Sequence, residues 1–173
     1  MHVVNPLFIT QYWKGYNDST AGPQLRKDND RMFALWCVLD GLFPSVYQFY
    51  DSTGKPGVKA ANEQYVFGNV NEAVRIAKEV PAKCPGRTAP PVWVYTWHRY
   101  HGAPNALLSD TDESMYWEQS YAAGATGLVL WGYEPTNSSA AEFGKWWKDD
   151  FTPLLNKWSP ESTRHGKRRW NED

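Results

Sequence analysis

Apolar and polar positions along this chain switch between two periods, and the switches mark its elements. From Val3 to Thr10 the chain is apolar, then gives way to the polar cluster TQYWKGYNDSTAGP, which predicts a strand and its exit loop. Met32, Phe33, Leu35, Trp36, Leu39 and Leu42 recur at helical spacing, so a helix is expected over Pro23–Leu42, stopped by Pro44. SVYQFY (Ser45–Tyr50) reads as a second short strand, closed by the turn DSTGKPG. Tyr65, Val66, Val70, Ala73, Val74 and Ala77 then form one face of a helix over Ala60–Val80, before Pro81, Pro85 and Gly86.

PPVWVYTW (Pro90–Trp97) is the third expected strand, with HRYHGAPNALLS as its exit loop. Ser109 is placed to cap the next helix, and Asp112 to complete a capping box. That helix carries Met115, Tyr116, Gln119 and Ala122, and Gly124 and Gly127 flank the turn into a fourth strand, Leu128–Trp131. A last helix is expected over Ser139–Leu155, with Phe143, Trp146, Trp147 and Phe151. The tail ESTRHGKRRWNED is charged and expected to be loose, its basic cluster a solvated end.

Strands separated by single helices imply right-handed parallel crossovers. The expected class is α/β: four βα units of a (β/α)-barrel, a partial barrel of parallel strands with outer helices. Residues 1–158 are read as that domain and residues 159–173 as the tail. No Gly-rich phosphate fingerprint follows any strand, which argues against dinucleotide binding.

Composition changes the picture at one point. The chain holds 10 Trp, 10 Tyr and 7 Phe in 173 residues, enough to fill a core of large side chains or to line a cleft with flat faces for sugar rings. Position decides between these. Ligand-binding groups in parallel βα architectures gather at the C-terminal ends of strands. Those ends carry Thr10, Gln11, Tyr12 and Trp13; Tyr47 and Tyr50; Trp97, His98 and Tyr100; and Trp131, Tyr133 and Glu134. Four consecutive units ending in aromatics favour a carbohydrate cleft.

The net charge of -1 leaves no field for steering nucleic acid, and the apolar runs fall short of the ~20 residues of a spanning helix. No cofactor is implied. His98 and His101 lie three apart without a third ligand nearby, so no metal site is expected. Cys37 reads as a small buried hydrophobe and Cys84 as a loop residue, with one bridge between them as the alternative. Glu134 is the carboxylate placed just beyond a strand end, and its alternative is a solvated loop residue. The start Met1-His2-Val3-Val4-Asn5-Pro6 lacks signal-peptide character, so either the chain is cytosolic or its N-terminus lies further upstream.

Three blocks carry a family resemblance: NDRMFALWCVLDGLFPSVYQF (Asn29–Phe49), PPVWVYTW, and LSDTDESMYWEQSYAAGATGLVLWG (Leu108–Gly132). In order and spacing they resemble the second half of the catalytic barrel of animal and venom hyaluronidases. FGKWWKDDFTPLLNKW (Phe143–Trp158) is similar to that barrel's closing helix. The resemblance implies retaining hydrolysis of β-linked N-acetylhexosamine polymers such as hyaluronan and chondroitin. A glutamic acid would protonate the leaving oxygen, the substrate acetamide would attack, and an aspartate would orient that acetamide. It implies that Tyr47 helps position the acetamide and that Trp131 walls its pocket, with Trp97 near an aromatic that touches the sugar chain. A further family tyrosine falls near Thr10, with Tyr12 two residues away.

The departures are specific. The sequence contains no Asp-x-Glu, and Gly15 stands where a family cysteine is expected. The resemblance therefore implies either the C-terminal part of a longer enzyme or a divergent remnant, inactive alone for want of the general acid. The alternative function is a non-catalytic carbohydrate-binding or interaction protein. The expected partner is a glycosaminoglycan or other N-acetylhexosamine oligosaccharide, with a missing half-barrel or a second copy to cover the open sheet. Family location would be secreted or lysosomal, in keeping with the sequons Asn17-Asp18-Ser19 and Asn137-Ser138-Ser139.

Overall fold

Helix α3, Pro56–Lys83, is the longest element, and the rest of the first compact unit packs around it. The computed structural model describes residues 15–132 and 139–158, which fall in two units, 1–135 and 136–173. The expected strand Val3–Thr10, Tyr12, Glu134 and the charged tail lie outside the described residues.

Pro56 opens α3, where a missing N–H costs nothing. Its inner face buries Val66, Val70, Ala73, Val74, Ile76, Ala77 and Val80, close to the face expected from the sequence. The expected helix Pro23–Leu42 is instead two, α1 (Ala21–Arg31) and α2 (Phe33–Trp36). The cause is local. The Trp36 indole donates to the Asn29 carbonyl at 2.8 Å, and Met32 N–H donates to it at 3.0 Å, taking the acceptor a continuous helix would offer Phe33.

Leu39 to Pro44 then leave the helical path and run beside β1, Trp93–Thr96. Leu42 pairs with Val92 and Ser45 with Tyr95, both parallel. The expected strand over Ser45–Tyr50 is thus a pair of bridges rather than a full ladder. On the other side β1 pairs in parallel with β4 (Gly127–Leu130), Val94 opposite Leu128 and Thr96 opposite Leu130. One side of this sheet carries Leu42, Val46, Val92 and Val94 into the core with α3 and with Met115 and Tyr116 of α4, Asp110–Ala123. Phe43, Trp93 and Trp131 are exposed.

Ser109 caps α4 as expected, its hydroxyl accepting from Asp112 N–H at 3.3 Å. Gly124 ends the helix at φ 93°, a left-handed conformation that favours glycine. The segment expected to be an exit loop is an antiparallel hairpin, β2 (Arg99–Tyr100) and β3 (Ala103–Leu107). Cys37 and Cys84 form a disulfide, tying the end of α2 to the end of α3. This corrects the reading of Cys37 as a buried thiol.

The second unit contains α5 (Ala140–Trp146), a π-helical turn (Trp147–Phe151) and α6 (Thr152–Trp158). Ser139 caps α5 by accepting from Glu142 N–H at 3.0 Å. Pro153 has no N–H to give Asp149, which accounts for the widened turn just before it. Phe143, Trp147 and Phe151 surround the buried Trp146 ring.

Candidate functional site at the strand ends

The register of the parallel segments brings three expected site residues to one level. Both bridges join residues 50 apart (Leu42 to Val92, Ser45 to Tyr95), and the β1–β4 pairs are 34 apart (Trp93 to Gly127). Continued past the strand ends, that register carries Tyr47 to Trp97 to Trp131. The ladder does continue, since Trp131 N–H donates to the Thr96 carbonyl at 2.8 Å. Equivalent positions on parallel neighbours share a face, so the three aromatics form a row.

The row is graded in exposure. Trp97 is buried, Tyr47 is half-buried, and Trp131 is 61% exposed. Trp131 sets its edge against Tyr95 at 6.2 Å and 78°. Trp97 lies where a side chain on Gly132 would be: a Cβ there would run into the indole. The Trp131-Gly132 pair thus has two separate causes. Position 131 presents an aromatic at the strand end, and position 132 must be bare for Trp97 to fold across it.

Tyr47 stacks nearly parallel on His101, centroids 5.9 Å apart and planes 4° apart. Burial pushes its phenol pKa up, outweighing the nearby Ser45 side chain. The phenol oxygen is itself buried and, among the described residues, meets no partner in hydrogen-bonding geometry. A buried hydroxyl without a partner is costly and calls for a reason, and a ligand group is one.

Beneath this row lies a polar anchor that the sequence did not reveal. Asp112, fully buried, accepts from Ser52 N–H at 2.9 Å, Ser52 Oγ at 2.6 Å, Asn62 Nδ2 at 3.3 Å and Tyr100 Oη at 2.7 Å. The expected capping box is not closed, since Ser109 N–H goes to Tyr100 Oη at 3.1 Å, and the ties of Asp112 to the hairpin and to the Asp51 loop come from tertiary structure. Burial also pushes the Tyr100 phenol pKa well up. Of the two histidines, His98 is buried beside Trp97 and His101 is exposed at the hairpin turn. Among the described residues no group of His, Cys, Asp or Glu is arranged to hold a metal ion, and no helix is long and apolar enough to cross a membrane. An apolar cavity of about 140 Å³, lined by Trp36, Leu39, Leu42, Phe43, Ala73 and Ile76, lies toward the opposite end of the strands.

A family model described as "Hyaluronidase" matches residues 10–158. The chain belongs to the hyaluronidase family. Among its relatives, human "Hyaluronidase-2" is 32% identical over 145 residues, covering 84% of this chain and 28% of that protein. Human "Hyaluronidase PH-20" is 34% identical over 119 residues (68% and 21%), and a hyaluronidase from Polybia paulista is 28% identical over 125 (70% and 40%). The chain thus spans well under half the length of these relatives. The crystal structure of bee venom hyaluronidase superposes with a TM-score of 0.65 at 25% identity, over 77% of this chain and 40% of that one. A second structure of the bee enzyme, in complex with a hyaluronic acid tetramer, gives a TM-score of 0.66 at 24% identity, a likeness of fold. The α/β class and the partial barrel of a hyaluronidase therefore hold for this chain, with three of the four expected parallel segments among the described residues.

Proposed function

We propose that this hyaluronidase-family chain forms the sugar-binding wall of a glycosidase cleft for N-acetylhexosamine polymers, hyaluronan or chondroitin. The observation that carries this reading is the row Tyr47, Trp97 and Trp131 at the C-terminal ends of adjacent parallel segments, with the buried Tyr47 hydroxyl lacking a partner among the described residues. Trp131 offers the accessible indole face for stacking a sugar ring, Trp97 closes the back of the row, and Tyr47 Oη is placed to bond an acetamide or hydroxyl. Tyr12 and Glu134, outside the described residues, are proposed as further substrate-binding residues. The hyaluronic acid tetramer bound by the bee venom enzyme supports this substrate class.

Hydrolysis with retention needs a proton donor beside this wall, with the substrate's acetamide as nucleophile. The sequence has no Asp-x-Glu to supply that donor, so the chain by itself binds without cleaving. The exposed Phe43, Trp93 and Trp131 side of the sheet calls for a cover, either further barrel strands or a second copy. The Cys37–Cys84 bridge fits an oxidising compartment, in keeping with a secreted or lysosomal protein. Calorimetry with hyaluronan oligosaccharides tests the reading. Trp131→Ala should weaken binding about tenfold or more, and Tyr47→Phe severalfold, since a lost hydrogen bond is worth about 1 kcal/mol. Affinity untouched by both substitutions would remove the wall. Release of reducing ends by the wild-type chain would show that an acid is present after all.

A further inference from the structure

The hairpin β2–β3 is pressed onto the Tyr47 segment at two points and tied to α4 at a third. His101 N–H donates to the Gln48 carbonyl at 2.6 Å. A Cβ on Gly102 would lie 2.8 Å from the Phe49 carbonyl oxygen, so only glycine lets the turn come this close. Tyr100, one residue before His101, is held by the buried Asp112 at 2.7 Å. Together these fix the His101 ring: its face is parallel to Tyr47, and Phe49 meets it at 5.1 Å and 69°. Although held in this way, His101 remains exposed. An exposed imidazole positioned by aromatics and backbone is a pre-organised donor.

The ring faces of the row do not make this choice. Indole and phenol faces take acidic and neutral sugars alike, because every pyranose has an apolar face. Neighbouring charged groups are engaged elsewhere: Asp51 accepts from Thr53 N–H at 2.9 Å and Tyr100 Oη at 3.2 Å, and Arg99 is buried. We propose that His101 is a specificity-determining residue of the cleft, its imidazole N–H taking the carboxylate of an acidic saccharide whose adjoining sugar lies against Tyr47. This rests on the sugar-binding reading above and adds to it a choice of uronate-containing chains over neutral ones. No bond is made or broken at His101.

The test compares three probes at a single fixed pH on the full chain. They are hyaluronan tetrasaccharide, the same tetrasaccharide with its carboxylates reduced to alcohols, and chitotetraose as a neutral N-acetylhexosamine chain. Wild type should prefer the acidic probe to its reduced form by about tenfold, the worth of one charge-assisted hydrogen bond. His101→Phe, which keeps the stacking, and His101→Gln should abolish that preference while leaving affinity for the reduced probe and chitotetraose unchanged. A thermal melt of each variant checks that the hairpin is intact. Equal loss on all three probes would make His101 a packing residue, and a preference surviving in both variants would place carboxylate recognition elsewhere. Wild type binding none of the probes would defeat the sugar-binding reading itself, whereas binding acidic and reduced probes equally would defeat only the role of His101.

Discussion

Gly132 is the residue whose identity the packing constrains most tightly. Trp97 occupies the space a Cβ would need, and the register fixes both strands, so neither side can withdraw cheaply. Gly132→Ala should therefore cost about 1–3 kcal/mol, the usual price of overfilling a packed site, and lower the melting temperature by several degrees. A wild-type melting temperature in the variant would mean that the indole swings aside. The chain itself disclosed part of this. That Trp131 ends a strand was legible from the apolar run before it, and exposure at the strand end followed from parallel βα geometry. The reason for the next glycine was not, because it lies in a side chain 35 positions earlier in the sequence. Nor was the stacking of His101 on Tyr47, which joins residues 54 apart across two loops.

At the scale of elements, the pattern succeeded where local spacing carries the information. Helix α3 and the capped start of α4 appear where apolar periodicity and Ser109 placed them. It failed where an element owes its form to partners distant in sequence. The β2–β3 hairpin has Pro104 in one strand and a register shift at Arg99/Tyr100, both poor local signals for a ladder. It stands because Tyr100 reaches Asp112 and His101 reaches Gln48. The break at Met32 is a local case that periodicity does not show, an indole taking a nearby carbonyl. Asp112 is thus the joint between α3, α4, the Ser52 loop and the hairpin. Asp112→Ala would strand the Ser52, Asn62 and Tyr100 donors in the interior, and a loss of about 3 kcal/mol is expected in urea denaturation. Faster amide exchange at His101 and Leu108 should accompany it, since the first N–H holds the hairpin to the Gln48 carbonyl and the second closes its base on His98. An unchanged denaturation midpoint would show that water replaces the carboxylate without cost.

For the whole molecule, the division of the sheet into two sides organises the account. One side is sealed by α3 and α4, and the strand-end row on the other is where stacking surface and an unpartnered hydroxyl coincide. The apolar cavity under Trp36 competes as a ligand site on shape alone, but the one side-chain polar group in its lining, the Trp36 indole N–H, is already given to the Asn29 carbonyl. The central claim is therefore about location: saccharide binds at the C-terminal ends of the parallel segments. Titrating isotope-labelled chain with hyaluronan tetrasaccharide and following aromatic ring, indole N–H and isoleucine methyl resonances by NMR tests it directly. The account predicts saturable shifts concentrated at Tyr47, Trp97, His101 and Trp131, with Trp36 and Ile76 at the opposite end unmoved. Saturable shifts at Trp36 and Ile76 with the strand-end aromatics silent would contradict it.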